Sequence, residues 1–207
     1  MTDNGLAKTR SNAGLNTSTP PFAGQTVGLV ESISLALTDQ QHNGDKMGLE
    51  SVKKYFYDHN IPNEIILLQE SSATVELAAK ALGREPGEIA KSLALRLKDG
   101  SIIILVVCGT SRIDNRRFKE TFQCKAQMLS LDETLDLTGH PVGGVCPFAL
   151  PDHITVYLDE SLKRYGTVYP AAGTANSAVP FTIDDLAAAT KGRWVSVTQA
   201  AERCQEL

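Results

Sequence analysis

Lys91 stands near the head of an alternating pattern, AKSLALRL over residues 90–97, and about fifty residues later the chain carries a glycine pair, Gly143 and Gly144, in GGVCPFALP over residues 143–151. The first piece supplies a cation. The second supplies backbone N–H donors that no Cβ screens. No side-chain nucleophile with an evident base accompanies them. Such a pair suits hydrolysis of an ester that is already reactive, with water attacking and fixed donors stabilising the oxyanion.

Side chains of a strand point alternately to opposite faces, so Lys91 shares a face with Leu93, Leu95 and Leu97, while Ser92, Ala94 and Arg96 lie opposite. This puts the ammonium on the core side, where it must be paired or open into a cavity. Two readings stand: a cation bordering a cleft that holds an anion or a polarised oxygen, or a strand-end lysine that snorkels to water. The glycine loop favours the first. Gly143 and Gly144 can take positive φ, Pro147 stiffens the exit, and each well-placed donor is worth ~3 kcal/mol to an oxyanion. A GG pair alone would be read as a tight structural turn.

The elements that must position these residues can be read from local signals. Residues 1–44 are expected to form an extension, rich in Ser, Thr, Asn, Gly and Pro up to about residue 24, with a short amphipathic helix through Val27, Val30, Ile33 and Leu37. A compact domain is expected over residues 45–200, with a tail at 201–207. Leu49, Val52 and Phe56 mark one side of a first helix, and EIILL at residues 64–68 a strand. Thr74 and Gly83 bracket a helix as its caps. KDG at residues 98–100 joins the lysine strand to the apolar IIILVVC as a hairpin. Asp114 precedes a short helix in NRRFKETF, and residues 125–129 read as a short strand. Ser130 and Glu133 form a capping box for a helix that ends at Gly139. Strands are expected at 154–158, 167–172, 178–181 and 194–197, with Thr182 and Asp185 as a second capping box for a helix to about Thr190. Strands and helices alternate without a regular βαβ rhythm, which predicts an α+β fold with a mixed, strongly curved sheet or partial barrel and surrounding helices.

Composition excludes several classes. With 42% hydrophobic and 21% charged residues the chain is an ordinary globular protein. A formal charge of -4 argues against a general nucleic-acid coat, while leaving room for a local basic patch. The longest apolar run, Ile102 to Cys108, has seven residues against the ~20 that a membrane helix needs. The N-terminal residues lack the apolar segment of a secretory signal, so a cytoplasmic location is expected. Cys108, Cys124, Cys146 and Cys204 show neither C-x-x-C spacing nor a histidine pair, so no metal, cofactor or disulfide framework is expected.

The order EIAKSLALR, apolar strand, GTSRID, TGHPVGGVCPFALP, VYLDESL and AAGTANSAVPFTIDDL resembles the YbaK and prolyl-tRNA synthetase editing-domain family, over about residues 50–198. Its free-standing members are aminoacyl-tRNA deacylases. The resemblance implies hydrolysis of a mischarged tRNA, above all tRNA for proline carrying a small amino acid, with the tRNA acceptor end and prolyl-tRNA synthetase as partners. Lys91 matches the family's lysine, holding either the terminal adenosine phosphate or the developing charge; Gly143 and Gly144 match its glycine loop. Val145, Cys146 and Pro147 on that loop, and Gly173, Asn176 and Ser177 opposite, are the implied substrate-binding residues. Many members have Arg-Gly or Lys-Arg-Gly where this chain reads GTANSAV, and the cysteine-specific branch has Ser where Cys146 stands. Alanine or serine is therefore as fair an expectation as cysteine, because one methylene is discriminated by only ~1–3 kcal/mol.

Two alternatives follow from the same residues. Cys146, with His140 and His153 near it in sequence, allows a thiol hydrolase. A scaffold that has lost activity and only binds tRNA or protein is the other. Arg112, which begins the family's Arg-x-Asp, and Arg116 are the candidate phosphate contacts, while Arg117 and Lys119 read as a solvated helix face.

Overall fold

The computed structural model describes residues 48–70 and 72–200. The expected extension, the amphipathic helix within it, His42, Cys204 and the tail lie outside the described residues.

The first described element is a helix through residues 48–58, α1, which turns Val52 and Phe56 into the core as their spacing predicts. The order then runs β1 (Ile66–Leu67), α2 (Val75–Leu82), a 3-10 turn (Pro86–Glu88), β2 (Ile89–Arg96), β3 (Ile102–Cys108), β4 (Ser111–Ile113) and α3 (Asn115–Phe122). After these come β5 (Gln127–Met128), α4 (Leu131–Thr138), β6 (Thr155–Asp159), a 3-10 helix (Glu160–Arg164), β7 (Thr167–Pro170), β8 (Ser177–Ala178) and β9 (Phe181–Thr182). The last elements are α5 (Ile183–Thr190), β10 (Arg193–Val195) and β11 (Thr198–Ala200). The main sheet has the order β10-β6-β3-β2-β7-β9, with β5 attached to β2. Three of its pairings are parallel, β10 with β6, β6 with β3 and β2 with β7, which makes it the curled, mixed half-barrel of an α+β fold.

The local signals act as expected. Gly100 takes φ 86° in the β2–β3 turn, and β2 runs antiparallel to β3 from Arg96↔Ile102 to Ala90↔Cys108. Thr74 accepts the Leu77 N–H at the start of α2 and Gly83 ends it at φ 63°. Ser130 and Glu133 form a reciprocal capping box on α4, which Gly139 closes at φ 74°. The Thr182 signal is realised differently: its hydroxyl accepts the Asp185 N–H at 3.1 Å and donates to the Asp185 carboxylate at 2.6 Å.

Several strand limits differ from expectation for identifiable reasons. Residues 167–172 form a strand only to Pro170, because the Ala172 N–H is taken by the Ser177 hydroxyl. The expected strand at 178–181 is two short strands separated by Val179 and Pro180, and a proline has no N–H for a ladder. EIILL keeps ladder pairing only at Ile66–Leu67, against β8. WVSV is strand only to Val195, and a further strand, β11, pairs with β4. Buried Asp159 holds that end in place, accepting from the Val197 N–H at 2.8 Å and the Thr198 hydroxyl at 2.5 Å.

β3 is buried along its whole length because the sheet is covered on both faces. One face carries the larger core, with Ala90, Ala94, Ile104 and Val106 against Phe56, Phe148 and Phe181. The other carries a smaller core, with Leu95, Leu105 and Val107 against Phe118 and Val197. Lys91 therefore lies on the side of the smaller core, and the larger core lies on the Ser92 side. Alternation gives the two faces, but the covering elements decide which becomes the main interior.

Candidate active site

One edge of β2 is paired throughout with β3; the other is shared by two short strands. β7 pairs with Ile89 and Ala90, and β5 with Leu95 and Arg96. Between them lies the mouth of a cavity of about 410 Å³. Lys91, Ser92, Gly143, Val145 and Ser177 all line it, and exposed Met128, Leu131 and Val142 form an apolar rim. Residues separated by about fifty positions in the chain are thus brought to one space. No Cys, His, Asp or Glu is among the lining residues.

Lys91 is half-buried, and its ammonium donates to the Ser111 C=O at 3.1 Å. Burial pushes its pKa below the usual lysine value; the charges of Cys108 and Glu76 oppose that shift, and Arg112 adds to it. Arg112 follows Ser111 on β4, pairs with Gln199 of β11 through the main chain, and is exposed, its side chain in no hydrogen bond or ion pair with another described residue. Two cations therefore stand close together near the cavity edge.

The glycine loop divides its tasks. Gly143 takes φ 91°, which side chains rarely adopt, and lines the cavity. Gly144 is not placed as a ligand donor: its N–H bonds to the Pro141 C=O at 2.9 Å, and it does not line the cavity. Its missing Cβ is needed for packing, since one added there would sit 2.6 Å from the Thr174 Cα. The 171–177 segment against which it packs is tied together by Ser177, whose hydroxyl accepts from the N–H groups of Ala172 and Thr174 and donates to the Thr174 C=O. Gly173, at φ 92°, packs against Gly48 of α1, where a Cβ would meet the Gly48 C=O. Asn176 is exposed and donates to the Leu68 C=O at 3.2 Å, anchoring the segment beside β1. Gly173, Asn176, Cys146 and Pro147 do not line the cavity; of the six implied substrate residues, Val145 and Ser177 do.

The family model for the aminoacyl-tRNA editing domain matches residues 69–189, which run from just before α2 into the last turn of α5. The chain belongs to this family. Uncharacterized protein YwhH of Bacillus subtilis (strain 168) is 44% identical over 152 residues, covering 73% of this chain and 97% of that protein. An Enterococcus faecalis (strain ATCC 700802 / V583) protein named "Putative Cys-tRNA(Pro)/Cys-tRNA(Cys) deacylase EbsC" is 25% identical over 130 residues, covering 62% of this chain and 79% of that one. Among solved structures, hypothetical protein APE2540 matches with TM-score 0.67 at 29% identity, over 72% of this chain and 99% of that chain. A structure described as "a putative trans-editing enzyme for prolyl tRNA synthetase" matches with TM-score 0.66 at 26% identity, over 76% and 98%. The editing domain carries its enzyme class with it: an aminoacyl-tRNA deacylase, an ester hydrolase acting on tRNA.

Cys146 Sγ lies 3.5 Å from His140 Nε2, so the pair that sequence distance left open does meet. Both residues are inaccessible. Burial pushes the Cys146 thiol up to about 12, and His140 Nε2 bonds to the Phe148 C=O at 2.8 Å, an N–H donor position that leaves no lone pair to take the thiol proton. His153 is exposed. This pair is a core contact, and among the described residues the thiol-hydrolase alternative has no nucleophile in the cavity.

Arg116 is exposed and paired with Glu120 at 2.9 Å one turn along α3. Arg117, expected to be a solvated face, donates to the Thr198 C=O at 3.0 Å and ties α3 to β11. Ser92 was not singled out as a site residue, yet its hydroxyl is buried without a partner beside the cavity. The signal was a lone polar residue between alanines on the face opposite the leucines. Among the described residues no His/Cys/Asp/Glu cluster could hold a metal, and no helix is long and apolar enough to cross a membrane.

Proposed function

We propose that the chain clears mischarged tRNA in trans, with tRNA for proline carrying a small amino acid as its substrate. Water attacks the ester carbonyl, the ribose oxygen leaves, and main-chain N–H groups at the cavity hold the oxyanion. Gly143 is the loop donor, its N–H approached without a Cβ in the way. Lys91 and Arg112 meet the terminal phosphates: the Lys91 ammonium is anchored on the Ser111 C=O of β4, and the Arg112 side chain stands near it without a partner among the described residues. The observation that carries the reading is that one cavity holds Lys91, Gly143 and Val145 and, among the described residues that line it, no nucleophilic thiol, imidazole or carboxylate. The choice of tRNA for proline follows the names of two similar proteins, and binding to prolyl-tRNA synthetase follows one of them.

The test is release of labelled amino acid from alanyl-, cysteinyl-, seryl- and threonyl-tRNA for proline by the wild type, Lys91→Ala and Cys146→Ala. Release that is lost with Lys91→Ala and kept with Cys146→Ala is expected. Loss with Cys146→Ala alone restores a thiol mechanism, and no release from any substrate leaves a binding module.

A further inference from the structure

The gap in the β2 edge leaves the main chain of Ser92 facing the cavity. The Ile89 C=O accepts from the Gly109 N–H at 2.7 Å on the β3 side, and the Ala94 C=O accepts from the Leu129 N–H at 3.2 Å on the opposite side. Main-chain groups alternate sides along a strand, so Ser92, two residues before Ala94, turns both its N–H and its C=O to the edge away from β3. The pairing of β7 stops at Ala90 and that of β5 begins at Leu95, so among the described residues no strand lies opposite Ser92 there. Its hydroxyl is also buried and unpartnered. Buried main-chain groups are almost always paired, and an open strand edge is a template for one more extended segment.

We propose that the aminoacyl group docks in this gap as a single strand residue. Its α-amino group donates to the Ser92 C=O, and its ester carbonyl oxygen accepts from the Ser92 N–H. An aminoacyl ester has the N–Cα–C=O order of a strand residue, and a hydrogen-bonded antiparallel pair is two residues exchanging both of these bonds. No carboxylate is among the described residues that line the cavity, so a main-chain oxygen is the acceptor for the amine. When water adds to the carbonyl carbon, the C=O electron pair moves to the oxygen held by Ser92 and Gly143. Collapse re-forms the C=O, breaks the bond to the ribose oxygen, and leaves that oxygen with a proton supplied by the water. Recognition of this kind reads the part common to all α-amino acids, while the side chain is sorted elsewhere in the cavity.

The inference rests on the deacylase reading, and the experiment separates the two. Full-length protein is given alanyl-, seryl- and cysteinyl-tRNA beside desamino analogues, the propionyl, 3-hydroxypropionyl and 3-mercaptopropionyl esters of the same tRNA, each rate divided by its spontaneous hydrolysis. We expect kcat/KM to fall at least ~10-fold on loss of the amine. Ser92→Ala, which removes the hydroxyl and keeps the main chain, should preserve that ratio to within about twofold. Equal acceleration of amino and desamino esters overturns the docking, and so does a ratio that collapses in Ser92→Ala, since the hydroxyl would then be reading the amine. Failure of the deacylase reading looks different: no ester of either kind is hydrolysed.

Discussion

Gly144→Ala tests whether packing between the two loops sets the position of the oxyanion donors. The added Cβ would lie 2.6 Å from the Thr174 Cα and 2.7 Å from its N, both backbone atoms that cannot rotate away. Opening the 2.6 Å contact to the ordinary 3.4 Å needs a shift of about 0.8 Å between the 142–145 turn and the 171–177 segment. A misplacement on the order of 1 Å costs about 10²-fold in rate, so kcat should fall between about 10- and 100-fold. Overpacking of this kind destabilises by about 1–3 kcal/mol, which lowers Tm by several degrees in a domain of this size. The assay is single-turnover deacylation with tRNA binding measured separately: binding should persist while the chemical step slows. Gly166→Ala is the control, since nothing lies within 4 Å of its added Cβ. A Gly144→Ala protein with wild-type kcat and wild-type Tm would refute the argument that this contact positions Gly143.

Four further outcomes are expected. Activity that needs a charged Lys91 should decline with rising pH at a value below the usual lysine 10.5, because burial lowers its pKa, and Lys91→Arg should move that decline upward; a pH–rate profile reads both. The folded-state pKa lies below the unfolded one, so the fold binds fewer protons between the two values and Lys91's contribution to stability rises with pH across that window, as a pH series of denaturant melts would show. Cys146, buried and with its thiol pushed up to about 12, should react with iodoacetamide only after unfolding, and labelling of the native protein at the rate of an exposed thiol would contradict its placement. Asp159→Ala leaves the Val197 N–H and Thr198 hydroxyl without their acceptor and should destabilise by about 3 kcal/mol or more; a denaturant midpoint close to wild type would contradict the role given to Asp159.

Much of the site was legible because its signals are local. Thr74 with Gly83, Ser130 with Glu133 and Gly139, and KDG before the buried strand each act over a few residues, and each appears in the structure. The lysine and the first glycine of the pair were identifiable by type and order, and both line the cavity. The second glycine was not legible in its role. Its N–H goes to Pro141 and its missing side chain makes room for Thr174, thirty residues away in the chain. The meeting of Cys146 with His140 was likewise open until their burial closed the catalytic reading.

The sequence by itself determined the kinds of element, their order, the caps that bound them, the two faces of β2 and the family. These depend on propensities, periodicities and motifs that neighbouring residues carry. Only the tertiary structure decided which face of β2 meets the larger core, that β5 and β7 share one edge without closing it, and that Ser92 is left unpaired in the opening between them. Strand pairing joins residues such as Ala90 and Pro170 that no local rule connects, so the places where pairing stops, and where a substrate can take its place, are properties of the assembled sheet.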